Sequence, residues 1–182
     1  MPLAKLDLNF NGDIDLNIIN PSELELNEET VVKINRVTKV ITGGRRFRFN
    51  SIVAVGDSKG HLGIGFGKAN EVISAVNKAK DNAKKNIFKV RLINGTIPHT
   101  ITVKYGAAKV ILKPASPGTG IIAGGPVRAL MEQVGVTDIL SKVTGSSNAV
   151  NVVRAVEKGL RELRDPLTVS RQRGITIREL FS

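Results

Sequence analysis

Gly63-Ile64-Gly65-Phe66-Gly67 places glycine at every second position of an otherwise apolar run. Side chains alternate between the two faces of a strand, so this spacing strips one face bare. A bare face admits close approach by a helix or by a nucleic-acid backbone. A phosphate loop is the competing reading, and it fails twice. Leu62 stands where that motif needs a glycine, and Ala69 stands where it needs a hydroxyl after Lys68. A dinucleotide fingerprint fails as well, at Lys68 or at Asn70 depending on where it starts.

Strands are predicted over 31–41, 45–55 and 61–66, separated by the turns Thr42-Gly43-Gly44 and Asp57-Ser58-Lys59-Gly60. A helix should follow, capped by Asn70 with Glu71 near its positive end. Its apolar stripe would be Val72, Ile73, Val76, Ala79, Ala83 and Ile87, with Lys78, Lys80, Lys84 and Lys85 over the rest. This makes a β-β-β-α unit. A further strand is expected over 88–93, and the Asn94-Gly95 turn marks the boundary to a second unit. There, strands at 97–104 and 107–113 precede the Pro/Gly-rich stretch 114–128. Pro126 suits the first turn of a helix reaching about Val134. A second helix should span Asn148 to Leu163, with Val152, Val153, Val156 and Leu160 inward and Asp165-Pro166 ending it. The tail 167–181 reads as a short helix broken at Gly174. The fold class is α+β, divided into an acidic extension 1–28, domains 29–94 and 95–165, and a tail helix 166–182.

Charge is distributed unevenly. The chain has 27 basic and 16 acidic residues in 182, a net of +11. One basic and seven acidic residues lie in 1–30, which leaves 26 against 9, a net of +17, in 31–182. So cationic a body favours an acidic partner. The acidic extension reads either as a solvated arm or as one that docks on a basic neighbour.

Residues 31–49 hold six cations (Lys33, Arg36, Lys39, Arg45, Arg46 and Arg48) and no acid. Phe47 and Phe49 should share one strand face and turn toward a core, while Arg46 and Arg48 point outward on the other. Such a row of guanidinium groups fits a phosphate backbone. Aromatic residues are only 4%, so recognition would rest on backbone and shape rather than on stacked bases.

The chain contains no cysteine, which excludes disulfides, thiolate metal sites and cysteine nucleophiles. No apolar run approaches the ~20 residues of a membrane-spanning helix, and the amino terminus has no secretory-signal pattern. Gly118-Thr119-Gly120-Ile121-Ile122-Ala123 matches a relaxed dinucleotide pattern with Asp138 about twenty residues on. Pro114, Pro117 and Gly124-Gly125-Pro126 deny it the strand-turn-helix it needs. A loop contacting RNA or a protein beside Arg128 fits better. His61 and His99 stand apart, without acid and nucleophile partners, and read as packing or surface residues.

Several blocks together resemble small-subunit ribosomal protein five of the bacterial and organellar type. They are Val32 to Val40, Gly43 to Phe49, Val55-Gly56-Asp57, Gly63 to Ala69, Pro114 to Arg128, Gly145-Ser146-Ser147-Asn148 and Asn151 to Ala155, in the family's order over roughly 30–180. The resemblance implies a first domain like a double-stranded-RNA-binding domain and a second α/β domain of the ribosomal-protein-five type. It implies a non-enzymatic ribosomal constituent without cofactor or metal, in the bacterial cytoplasm or an organelle. Its partners would be small-subunit rRNA, ribosomal proteins four and eight, and mRNA where it enters the subunit, with a part in decoding accuracy.

The rRNA-binding candidates are Lys33, Arg36, Lys39, Gly43, Gly44, Arg45, Arg46, Arg48, Lys68, Lys84 and Lys85. Gly118, Thr119, Gly120 and Arg128 would form the accuracy-linked protein interface, and Ser147, Asn148 and Arg154 are further RNA contacts. The tip loop Val40 to Arg45 resembles the family's spectinomycin-associated loop, except that Thr42 replaces the expected lysine before the glycine pair. The alternatives are a free-standing RNA-binding regulator and a nucleotide-dependent enzyme using the 118–123 loop.

Overall fold

The computed structural model describes Leu24, Leu26 and residues 29–180, apart from the side chain of Arg178. The acidic extension expected over 1–28 therefore lies outside the described residues except at Leu24 and Leu26. Two four-stranded sheets are present among the described residues. The first is the antiparallel meander β1 (Thr30–Ile41), β2 (Gly44–Gly56), β3 (His61–Ala69) and β4 (Ile87–Lys89), with α1 (Val72–Lys85) between β3 and β4. The second contains β5 (Ile101–Tyr105), β6 (Ala108–Pro114), β7 (Ile121–Ile122) and β8 (Ile139–Gly145), in the order β5-β6-β8-β7. Here α2 (Gly125–Val134) joins β7 to its parallel neighbour β8, and α3 (Ala149–Glu162), α4 (Pro166–Arg173) and α5 (Ile177–Leu180) follow.

The bare glycine face is occupied by α1, which buries Ala75, Ala79 and Ala83. A Cβ at Gly65 would stand 1.8 Å from the Ala79 carbonyl oxygen, and one at Gly67 would stand 2.0 Å from that of Ala75. The stripe expected on α1 is thereby corrected. Val72 and Ile73 are exposed, and the smallest residues face the sheet. Surface without side chains can only be filled by backbone and methyl groups, so alanine outcompetes the larger aliphatics there. Ser51 adds a bond from its hydroxyl to the Ala75 carbonyl, 2.7 Å. The helix cap is also displaced: Glu71, not Asn70, occupies the N-cap position and makes no side-chain capping bond.

Sheet one is covered on both sides. Val53 and Val55 turn toward α1, while Ile52, Ala54, Leu62 and Ile64 turn into the main core with Val127, Leu130, Met131, Val153 and Val156. The β2–β3 turn is latched onto the end of α2. Ser58 and Gly60 donate their amides to the Gln133 and Val134 carbonyls at 3.1 and 3.0 Å. Gly56 is confined there too, since a Cβ would meet the Gln133 carbonyl oxygen at 2.0 Å. Inside that turn, Asp57 accepts from the amides of Lys59 and His61 and faces the His61 ring.

Pro126 opens α2, Asn148 caps α3 by accepting from the Val150 amide, and Gly174 ends α4, all as the sequence predicts. Three expectations change. The strand expected over 88–93 shrinks to three residues. The one expected from 97 starts at Ile101, after Pro98. Asp165 and Pro166 do not merely end α3; Asp165 caps α4 and Pro166 begins it. β8 was not foreseen, because Leu140 and Lys142 on one face and Ser141 on the other blur its alternation.

Gly65→Ala should destabilise the protein by ~3 kcal/mol or more, because backbone rather than a movable side chain blocks the added methyl. Gly43→Ala, where a Cβ meets nothing within 4 Å, should stay within about 0.5 kcal/mol of the parent. Urea unfolding of both variants measures the contrast.

Candidate nucleic-acid interface

β3 pairs with β2 only as far as Phe49, which lies opposite Ala69. Beyond that point β1 and β2 continue alone to the Ile41–Gly44 closure, an arm of about 17 Å at ~3.4 Å per residue. Gly44 closes it with a φ of 115°, and a Cβ at Gly43 or Gly44 would meet nothing within 4 Å.

The pairing register assigns the cations to faces. Lys39 lies opposite Arg46, and Arg48 opposite Val37, so these three cations share one face. Arg36 lies opposite Phe49, and Arg45 opposite Val40, on the other. The expectation that Phe47 enters a core is corrected: it is 45% exposed, because no described element covers the arm past the end of β3. Its ring instead carries the Arg36 guanidinium, whose central carbon lies 3.8 Å from the centroid, a cation–π contact that restrains that cation. Both faces of the arm are thus cationic. Lys39 opposite Arg46 is a like-charge pair that costs stability, and no acid lies within 31–49 to relieve it.

Lys68 lies beside this arm, where it lines an open cleft of about 480 Å³ with Arg48, Ala69, Asn70, Glu71 and Ser74. Lys84 and Lys85 do not join them. They sit at the far end of α1, a helix of 14 residues or ~21 Å. Lys33 lies at the base of the arm, opposite Ile52 and next to a bulge.

The second candidate group gathers at one end of sheet two. Gly118 and Gly120 take φ values of 90° and 76°, and Gly120 donates its amide to Asp138 Oδ1 at 2.9 Å. Thr137 donates its hydroxyl to Asp138 Oδ2 at 2.7 Å. The Gly120 amide first, then the Thr137 hydroxyl and the amides of Gly118 and Thr119, hold the Asp138 carboxyl below its ordinary range against its burial. The residue a dinucleotide reading would aim at a ribose therefore satisfies the loop's own amides. The loop leads into β7 rather than a helix. Arg128 joins it by donating to the Ile121 carbonyl at 2.8 Å.

The remaining candidates are partly committed elsewhere. The Asn148 side chain caps α3. Arg154 stacks 4.4 Å from the Phe66 centroid and pairs with Glu157 at 2.9 Å, while Ser147 is exposed. His99 Nε2 accepts from the Arg164 amide at 3.1 Å, a packing role. Sequence reading missed the anchoring function of Asp138, for which the adjacent Thr137-Asp138 pair was the available signal.

An acid-free cationic arm on an α+β scaffold, together with a 118–120 loop whose amides are tied down from within, fits a polyanion-binding protein better than a nucleotide-dependent one. Comparison with known proteins agrees. Residues 27–91 match the family described as Ribosomal protein S5, N-terminal domain, and residues 103–173 match Ribosomal protein S5, C-terminal domain. The small ribosomal subunit protein uS5 of Dehalococcoides mccartyi is 54% identical over 161 residues, covering 88% of this chain and 93% of that protein. The protein of the same description from Chloroflexus aurantiacus is 52% identical over 163 residues, covering 90% and 91%. The chain belongs to the ribosomal protein S5 family, whose members are structural and not enzymes.

A carboxyl whose folded-state pKa is depressed contributes stability that is complete above its unfolded pKa and is lost as pH falls through the folded value. The Gly120 amide should therefore become less protected from exchange as pH drops below about 4. Asp138→Asn should show weaker protection and remove that pH dependence. Hydrogen exchange followed by NMR provides the check.

Proposed function

We propose that this protein helps fold and hold the rRNA of the small ribosomal subunit, with the β1–β2 arm as its principal phosphate-binding element. The observation that carries this reading is the arm itself: cations on both faces, no acid, and nothing of the described chain packed over it. Arg46, Arg48, Lys39 and Arg45 neutralise phosphates, and Arg36 is held ready for one by Phe47. The bare tip at Gly43 and Gly44 lets an RNA backbone come close. Lys68 extends the site along the cleft, and Lys33 continues it at the base. Lys84 and Lys85 serve a separate contact at the other end of α1. Ser147, Asn148 and Arg154 contribute through donors not used within the fold.

In the same reading, the boundary at Asn94-Gly95 separates the RNA-binding domain 29–94 from domain 95–165 and the tail 166–182. Gly118, Thr119, Gly120 and Arg128 form a contact with ribosomal protein four that bears on decoding accuracy. Ribosomal protein eight is a further neighbour, and the assembled protein stands near mRNA where it enters the subunit. The bacterial relatives favour the bacterial cytoplasm over an organelle.

If about six cations engage phosphates, the log–log salt dependence of binding to small-subunit rRNA should have a slope of roughly −4 or steeper. A slope near zero would sink the electrostatic account. Arg46→Glu combined with Arg48→Glu should weaken rRNA binding at least tenfold without lowering the melting temperature, because both side chains are exposed and the change relieves the Lys39–Arg46 repulsion. Filter binding and circular dichroism measure the two outcomes.

A further inference from the structure

The second sheet has one face that no helix covers among the described residues. Its inner face, with Val103, Ala108, Val110, Leu112 and Ile139, is buried in the main core. The register places Lys104, Lys109, Lys113 and Lys142 together on the opposite face. All four are exposed, and none has a salt-bridge partner among the described residues. Strands β5 to β8 contain no Asp or Glu. Lys104 lies directly opposite Lys109, a like-charge pair that costs stability. Nothing in the described fold offsets that cost.

Thr102 and Thr144 stand at the margins of this face, and Ile111 and Leu140 lie between the lysines. Thr144 Oγ1 donates to the Lys109 carbonyl at 3.4 Å, while the Thr102 hydroxyl and the lysines on this rigid surface suit phosphate and sugar contacts, which make up most protein–nucleic acid hydrogen bonds. Beside β8, the Ser146 amide bonds the Ala107 carbonyl at 2.9 Å, placing the exposed Ser147 at the same end as Lys104 and Lys109.

We infer that this open face is a second RNA-binding surface, independent of the β1–β2 arm, which holds a sugar–phosphate backbone through Lys104, Lys109, Lys113 and Lys142. Charge complementarity selects the occupant: an uncompensated positive sheet face matches a continuous polyanion better than an apolar partner. Sequence reading passed over these lysines because each is an ordinary outward position of its own strand. Only the sheet order brings them together.

The test uses the full chain and purified small-subunit rRNA. A variant with all four lysines changed to glutamine should melt no lower than the parent, since it removes the Lys104–Lys109 repulsion, and should lose roughly three to four units of log–log salt slope. The Arg46→Glu, Arg48→Glu variant should retain RNA protection of these lysines from an amine-reactive reagent. An unchanged salt slope together with equal labelling with and without RNA would overturn the inference. Protection seen in assembled subunits but not with rRNA alone would assign the face to a protein and overturn it equally. Protection in the free chain that vanishes on removing residues 1–23 would assign the face to the acidic extension and overturn the inference as well.

Discussion

The contact between the glycine face of β3 and the alanine face of α1 supports everything else in the first unit. At Gly63, Gly65 and Gly67 the helix backbone lies where side chains would stand on any other strand. That approach fixes the depth of α1 against the sheet and leaves Val53 and Val55 to fill the flanks. With one face closed so tightly, the other is free to give Ile52, Ala54, Leu62 and Ile64 to the main core. A sheet covered on both faces is rigid at its base, and that base carries the long unsupported arm.

The arm and the lysine face of sheet two follow one electrostatic pattern. Each places like charges opposite one another on paired strands, Lys39 with Arg46 and Lys104 with Lys109. Such pairs cost stability in the isolated chain. Two carboxylates, by contrast, are used inside the structure. Asp57 ties the β2–β3 turn and Asp138 ties the 118–120 loop, where each accepts backbone amides. Burial penalises the Asp57 carboxylate, but the His61 and Lys59 amides and the His61 side chain outweigh it and hold its pKa low. These two acids organise a turn and a loop while the cations of the arm and the lysine face remain outside.

Much of the fold was legible locally. Strand alternation, the Thr42-Gly43-Gly44 turn, Pro126 at a helix start and Asn148 as a cap depend on near neighbours, and the structure bears them out. The errors share a cause. The stripe of α1, the fate of Phe47 and the existence of β8 depend on what stands across from each segment. The Phe47 ring had the spacing of a core residue, yet β3 stops too early to give it a core. The candidate site was legible as a set of cations but not as an arrangement. Lys68 joins the arm, whereas Lys84 and Lys85 lie at the other end of α1.

The sequence by itself determined the net charge and its asymmetry, the acid-free run 31–49, the turns, and the glycine period that demands a close neighbour. These are properties of composition and of short-range geometry, which the chain carries whatever it packs against. Only the tertiary structure decided which neighbour fills the glycine face, which rings are buried, and which cations share a surface. Those outcomes depend on strand order and register, set by pairing between residues far apart in the chain. The three bare glycines announced that something must come close, and packing made it the alanine face of α1.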